Sequence, residues 1–417
     1  MAKRLGIYVH IPLCASKCAY GDFNSFAGSE RLMPKYHNAL LKHFRESRQV
    51  LQEYYADTVY FGGSTPSYYG ARRLADLFNA LKREALIFRN AEVTLEANPD
   101  SVHLRDLTLL WAEGFNRISL GAQTANEDLL KLIGRRHTWK QTVLAVKTAR
   151  EAGFSNISLD LIYGLPTQTE ADWAETLDRA IGLGPQHISC YGLKLEPGTP
   201  MYASYNRSAL LPDDDAQADM YLYAVETLER AGYAQYEISN FAKPGFPSRH
   251  NLKYWLLRDY IGFGAGAASC AGGVRYKYVP GLRQYISGVQ NDHTILEEQE
   301  RIGLLDQSAE YIMLGLRTVR GISSKEYFRR YRSDFSPLEE ELEEYRVKGW
   351  AVREDERWHF TPAGFLLSNL LIGRLLDLRG EQRRRDETPW MEQTEESFYL
   401  HGELPEGDEV FFHPQEA

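Results

Sequence analysis

Apolar residues along this chain follow two spacings in turn. Short, nearly unbroken apolar runs at 5–11, 58–61, 93–97, 117–121, 157–163 and 187–193 have the density of strands buried on both faces. Between them, 34–54, 71–84, 101–111, 138–152 and 170–181 repeat apolar residues every three or four positions, as helices with one covered face do. Six such alternations predict βα units on a parallel sheet, an α/β fold built as a partial (β/α)6 parallel barrel. In such barrels the residues that do chemistry stand at the carboxyl ends of strands and on the loops that follow.

Past the sixth run, residues 212–232 read as a long helix opened by Asp213, Asp214 and Asp215, residue types that cap a helix N-terminus and suit its dipole. Helical spacing returns at 309–319, 324–331 and 337–348. A strand pair at 350–353 and 358–361 and a last helix from Pro362 complete a winged-helix-like α+β unit, expected as a small cap over the barrel mouth. Arg317, Arg320, Arg329, Arg330 and Arg332 raise nucleic acid as a partner. The five carboxylates between Glu339 and Glu344 repel phosphates, so no nucleic acid is expected. The organisation expected is residues 1–235 as the barrel, 236–298 as a connecting region, 299–378 as the C-terminal domain, and 379–417 as an acidic, disordered tail.

Composition narrows the class. A chain of 417 residues that is 43% hydrophobic buries one large and one smaller core. The formal net charge of −9 belongs to the end of the chain: residues 386–417 hold ten Asp or Glu and no Lys or Arg, and setting these aside leaves the rest near +1. His401 and His413, within that stretch, read as solvated. No apolar run has the length of a membrane span, and MAKRLGIYVHI lacks the apolar core of a signal peptide, so a cytoplasmic protein is expected. Four cysteines in this length argue against a disulfide framework.

The stretch LGIYVHIPLCASKCAYGDFNSF at 5–26 holds half of those cysteines. Cys14 and Cys18 leave the end of a strand on an irregular loop, free to converge on one point, and thiolates are the ligands of iron–sulfur clusters. On spacing alone, two free thiols packed as small hydrophobes are the better account of C-x3-C. Gly62 and Gly63 in FGGSTPS allow close backbone approach to a ligand, or a tight turn. Glu96 in LEANPD, Gln123 in SLGAQT and Asp160 in LDLIYGLPTQT are polar groups at the ends of apolar strands; each is costly to bury unless paired or bound to a ligand. In HNLKYW, His250 is flanked by Tyr254 and Trp255, an imidazole beside two flat rings.

Taken together, YVHIPLC with the CAYGDF that follows, FGGSTPS, LEANPD, SLGAQT and LDLIYGLPTQT resemble the radical S-adenosylmethionine (SAM) proteins, in the oxygen-independent coproporphyrinogen III oxidase-like branch, over about residues 5–376. The resemblance implies a radical-SAM-type barrel with a [4Fe–4S] cluster held by Cys14 and Cys18. It implies SAM beside the cluster, with Gly63 and Thr65 at the methionine end, Glu96, Gln123, Arg135 and Asp160 in contact with it, and Tyr8 and Tyr20 near the cluster loop. The family's loop reads C-x3-C-x2-C, and its third cysteine is Gly21 here; glycine has no ligand atom. Asp22 next to it is out of register and a harder donor. Ser64 replaces a common glycine.

H-N-x-x-Y-W, followed by GFGAG, resembles the heme chaperone branch of that family, which implies heme bound through His250, Asn251, Tyr254 and Trp255. Ser248 and Ala268 stand where relatives often carry cysteine and histidine. Phe23, where the oxidases carry a further cysteine, and the short lead into the first strand favour a chaperone. The expected function is heme binding and transfer to heme-accepting proteins, with a homodimer as one assembly state. Two alternatives stand beside it: a coproporphyrinogen III oxidase or other radical SAM enzyme, and a clusterless heme-binding protein.

Overall fold

The computed structural model describes residues 3–22 and 24–385. The acidic stretch from 386, with His401 and His413, lies outside the described residues. Six strands carry the βα repeat: β1 Lys3–Ile11, β2 Tyr54–Gly63, β3 Leu86–Ala97, β4 Arg117–Gln123, β5 Asn156–Tyr163 and β6 His187–Gly192. Helices α1 Met33–Glu46, α2 Ala71–Glu84, α3 Leu104–Glu113, α4 Trp139–Glu151 and α5 Glu170–Gly182 return the chain between them, and α6 Asp214–Arg230 follows β6. Local signals set several helix starts. Thr138 and Gln141, and Thr169 and Asp172, form reciprocal capping boxes at α4 and α5. The segment 34–54, expected as one helix, is α1 followed by a short turn of helix and then strand, because Tyr54 and Ala56 pair with Lys3 and Leu5 of β1.

Beyond α6 the chain adds β7 Ala234–Glu237, β8 Asn240–Ala242, α7 Arg249–Trp255, β9 Tyr260–Phe263, β10 Ala268–Ala271, β11 Val274–Tyr278 and β12 Leu296–Arg301. Among the described residues these strands form one twelve-stranded sheet in the order β12-β11-β10-β9-β1-β2-β3-β4-β5-β6-β8-β7. The run from β9 to β6 is parallel and both flanks are antiparallel. Residues 236–298 therefore extend the barrel sheet on both sides. The sheet is curled: Ala19, in the loop after β1, accepts from the N–H of Met201 beyond β6 at 2.9 Å and donates to Ile133 beyond β4 at 3.2 Å. Strands five places apart in a flat sheet lie about 24 Å from each other. Only a strongly bent sheet brings those loops together.

One face of each strand packs on the helices. Val9, Val59, Phe61, Leu95, Ile118, Leu120, Leu159 and Ile188 join α1 to α5 in the main core. Phe61, Phe78 of α2 and Phe115 meet with ring centroids 5.0 to 6.2 Å apart. The opposite face differs from the expectation of strands apolar on both sides. Thr58, Tyr60, Glu92, Glu96, Arg117, Ser119, Ser158, Asp160, His187 and Ser189 point to a polar interior, and most bond to one another. Hydrogen bonds among these side chains offset part of the cost of burying polar residues at every second position.

The C-terminal unit comprises α8 Leu304–Gly315, β13 Ile322–Ser323, α9 Ser324–Tyr331, α10 Ser336–Val347, the hairpin β14 Ala351–Glu354 and β15 Arg357–Phe360, and α11 Ser368–Arg385. Its core of Tyr311, Tyr327, Leu342, Trp358 and Leu375 reaches Tyr221 of α6. It docks at the side of the sheet: Ile238 N–H donates to Arg317 at 3.0 Å and Val319 N–H to Tyr236 at 3.2 Å, while Glu310 pairs with Arg275 of β11 at 2.6 Å. The unit thus bridges strands near the two ends of the open sheet.

Candidate functional site

The carboxyl ends of β1 to β4 surround a groove of ≈ 390 Å³. Ser16 and Cys18 reach it from the loop after β1, Thr65 and Ser67 from the loop after β2, Asn98 and Asp100 from that after β3, and Arg135 and His137 from that after β4. Parallel strands of similar length end at one level, so their following loops meet.

Glu96 is the buried charge of this region. Its carboxylate accepts the Tyr60 hydroxyl at 2.7 Å and the Gly63 N–H at 3.0 Å. Burial, reinforced by the Asp160 carboxylate, raises its pKa to about 7 against these two donors. Gly63 has φ of +125°, and a Cβ there would stand 2.8 Å from the Ile11 carbonyl, so glycine is required by the turn as well as by the contact with Glu96. Thr65 Oγ1 receives the Asn98 amide at 3.3 Å, and Asn98 Oδ1 receives Arg135 Nη1 at 2.8 Å. The second arm of Arg135 donates to the Tyr20 hydroxyl at 2.9 Å, whose pKa burial pushes to about 12 despite the pull of that guanidinium. Arg135 Nε is buried with no partner among the described residues. Gln123, with φ of +64°, lies over Gly121 beside Arg135: a Cβ on Gly121 would be 2.7 Å from Gln123 Nε2 and 3.0 Å from Arg135 Nη2.

Asp160 lies deeper. Ser119 and Ser189 donate to its carboxylate at 3.0 and 2.9 Å, and burial raises its pKa in spite of them. Tyr8 binds His10 Nδ1 at 2.8 Å, and its ring lies tilted beside Tyr60 with centroids 6.1 Å apart. Of the expected residues, Thr65 and Arg135, with Cys18, line the groove; Tyr20 and Gln123 lie against Arg135, Glu96 is bound to Gly63 in the loop that leads to Thr65, and Tyr8 and Asp160 stand deeper in the lumen. Asn98 is the residue that sequence reading passed over. It links Thr65 to Arg135, and its signal was its place two residues after Glu96, on the same side of the chain as the strand ends.

Cys14 is buried where residues 13–14 pair with 26–27, and Cys18 is half-exposed at the groove. Asp22 is exposed. Among the described residues no three His, Cys, Asp or Glu side chains gather as a metal site. With Gly21 lacking a ligand atom, the loop does not fit a cluster held by three ligands of this chain.

The His250 region is closed. His250 is 1% exposed; its Nδ1 meets Thr58 Oγ1 at 2.8 Å, its Nε2 meets the Tyr254 hydroxyl at 2.8 Å, and its ring stacks on Tyr60 at 5.0 Å. Glu92 accepts the N–H groups of Arg249 and His250 at 3.0 Å, which fixes the start of α7. Burial first, then the charges of Lys253 and Arg117, lowers the imidazole pKa to about 3, so it is neutral. Both ring nitrogens of His250 are engaged inside the barrel, one by Thr58 and the other by Tyr254. Asn251 and Trp255 are half-buried on the same helix.

Comparison with known proteins bears on this arrangement. A model described as the radical SAM superfamily matches residues 8–180, and one described as the HemN C-terminal domain matches 297–367. The chain is 35% identical to the heme chaperone HemW of Bacillus subtilis, over 88% of this chain and 98% of that protein. It is 34% identical to the heme chaperone HemW of Escherichia coli, over 88% and 97%. Among solved structures it resembles the Escherichia coli coproporphyrinogen III oxidase HemN, a radical SAM enzyme, with a TM-score of 0.79 at 23% identity over 90% of this chain and 91% of that one. That likeness bears out the α/β fold with its C-terminal domain. Among the described residues no helix is long and apolar enough to cross a membrane.

Proposed function

We propose, from the premise that this chain belongs to the heme chaperone HemW family of the radical SAM superfamily, that it binds heme and passes it to acceptor proteins. The observation that carries the reading is the end-to-end match: 98% of a relative named heme chaperone is covered at 35% identity, and the C-terminal family model matches residues 297–367. A cytoplasmic location fits this reading, since among the described residues no two cysteines form a disulfide.

The groove suits SAM. Its amino-acid end carries an ammonium, for which Glu96 offers a buried carboxylate, and a carboxylate, for which Arg135 has an unpartnered Nε. Gly63 and Thr65 supply the backbone and hydroxyl groups beside them, Gln123 and Asp160 complete the polar wall, and Tyr8 and Tyr20 support the loop. Among the described residues no third ligand joins Cys14 and Cys18, and this favours heme handling without SAM cleavage. Heme ligation through His250, with Asn251, Tyr254 and Trp255 around it, requires the Tyr254 bond to open first.

Titrating the purified protein with heme by absorbance, then mixing the complex with an apo heme protein, tests the reading. It requires saturable binding near one heme per chain and transfer to the acceptor; no saturable binding overturns it. Deoxyadenosine released from SAM in the same preparation, followed by chromatography, would instead establish a radical enzyme.

A further inference from the structure

Helix α9 packs one side on α8 and leaves the other to solvent. Inward, the Tyr311 hydroxyl donates to Glu326 at 3.1 Å, and the Arg330 guanidinium lies 5.3 Å from the centre of the Tyr311 ring. Outward stand Lys325, Phe328, Arg329 and Arg332, all exposed, with the Arg332 guanidinium 5.8 Å from the centre of the Phe328 ring. Lys325, Arg329 and Arg332 form no ion pair among the described residues. Beneath them Glu326 is shared by Arg320, Arg330 and Arg357, and three cations against one carboxylate leave that cluster positive as well. The acids nearby are engaged. Asp334 accepts the N–H and the hydroxyl of Ser336 at 3.0 and 2.8 Å, and Glu339, Glu341, Glu343 and Glu344 pair with Arg353, Arg374, Arg346 and Lys348. An exposed ring among uncompensated cations suits an acidic segment that carries aromatic side chains.

We propose that this face holds the chain's own acidic segment, residues 386–417. That segment carries ten Asp or Glu, no Lys or Arg, and Trp390, Phe398, Tyr399, Phe411 and Phe412 among them. It continues from α11, which near its end is fixed to α8: Arg379 donates to the Leu305 carbonyl and to Ser308. Ser308 stands one turn from Tyr311, where α9 packs. From there to the outer side of α9 is about two helix diameters, on the order of 20–25 Å. A tether of about 30 residues has a root-mean-square reach of roughly 30 Å, so carboxylates are held at the face at an effective concentration of about millimolar. Nucleic-acid phosphates reach the same cations only by displacing this tethered polyanion. The docked segment thus keeps the winged-helix-like unit from non-specific contact with nucleic acid.

Carbodiimide cross-linking, which joins a carboxylate directly to an amine, tests this in the full chain, because Lys325 is the amine of the face and residues 386–417 contain no lysine. Cross-linked peptides are identified by mass spectrometry in an equal mixture of isotope-labelled and unlabelled protein. The native chain is expected to join Lys325 to carboxylates of 386–417 within one isotope class, and the yield to fall steeply as salt approaches about 0.5 M. The double variant Arg329→Gln with Arg332→Gln alters two exposed side chains, so native circular dichroism is expected, with a cross-link yield roughly tenfold lower. A yield that neither salt nor the variant changes marks chance encounter and overturns the proposal. Peptides that join the two isotope classes place a second copy's segment on the face and overturn it too. So does the absence of any cross-link from Lys325 to the segment; protection of Lys325 by a random-sequence DNA duplex would then assign the face to nucleic acid.

Discussion

Replacing Glu96 by Gln removes a charge that the fold holds against its surroundings. The carboxylate receives two hydrogen bonds, yet burial lifts its pKa from 4.5 to about 7. At about 1.36 kcal/mol per pH unit, ionised Glu96 destabilises the native state by about 3 kcal/mol. The native pKa is the higher one, so the folded chain holds more proton between 4.5 and about 7. This contribution to stability is full below 4.5, declines across that window and is lost above it. Gln is neutral throughout, so its slope over the window is zero. Its amide oxygen still accepts from Tyr60, but its NH2 faces the Gly63 N–H, and the lost bond costs about 1–3 kcal/mol. Glu96→Gln is therefore expected to be less stable than the native protein at pH 5 by that amount and about as stable or more stable at pH 8. Thermal melting of both proteins at half-unit pH steps from 5 to 8 reads the difference directly. A difference that does not change with pH refutes the reasoning, because the carboxylate would then titrate alike in the folded and unfolded chain.

Tyr254→Phe removes the hydroxyl that occupies His250 Nε2 at 2.8 Å; if that nitrogen ligates heme, affinity rises by roughly fivefold, about 1 kcal/mol for a bond no longer broken, and an unchanged heme titration excludes His250 as ligand. Asp57→Ala strands Lys253, which lies 2.6 Å from it in a nearly buried pair, and is expected to lower stability by about 3–5 kcal/mol; a melting midpoint within a degree of native shows the pair to be solvated. In the C-terminal unit burial would raise the Glu326 pKa, but Arg330, Arg320 and Arg357 pull it down to about 2. Its depressed pKa gives stability that is full above 4.5 and is lost as pH falls through about 2. Arg357→Met is expected to move acid unfolding of this unit to higher pH, as followed by tryptophan fluorescence; an unmoved midpoint counts against it.

The repeat of strand and helix was legible because each strand carries a strong apolar row toward the helices, and that row alone fixes β1 to β6. The alternate row was harder to see. Ser119, Ser158, Asp160, His187 and Ser189 read as interruptions of apolar strands until the sheet is curled, when they become partners across a lumen. The motif residues fell at strand ends as expected, since loop position follows from strand position. The strands β7 to β12 were missed because they are short: β8 pairs with β6 and β9 with β1, far away in sequence, and the others only add to these two through local antiparallel pairs. His250 was read from its aromatic neighbours on the chain, but its true partners include Thr58 and Glu92, about 160 to 190 residues away, which no local pattern records.

The central claim is that the loop after β1 offers two thiolates, with Gly21 in the place of a third, and so does not hold a full cluster. Counting iron and acid-labile sulfide per chain after anaerobic reconstitution, with Gly21→Cys treated in parallel, tests this most directly. The account predicts that the variant approaches the full iron and sulfide of one cubane cluster and that the native protein stays well below half of it. Equal loading of the two proteins would contradict it.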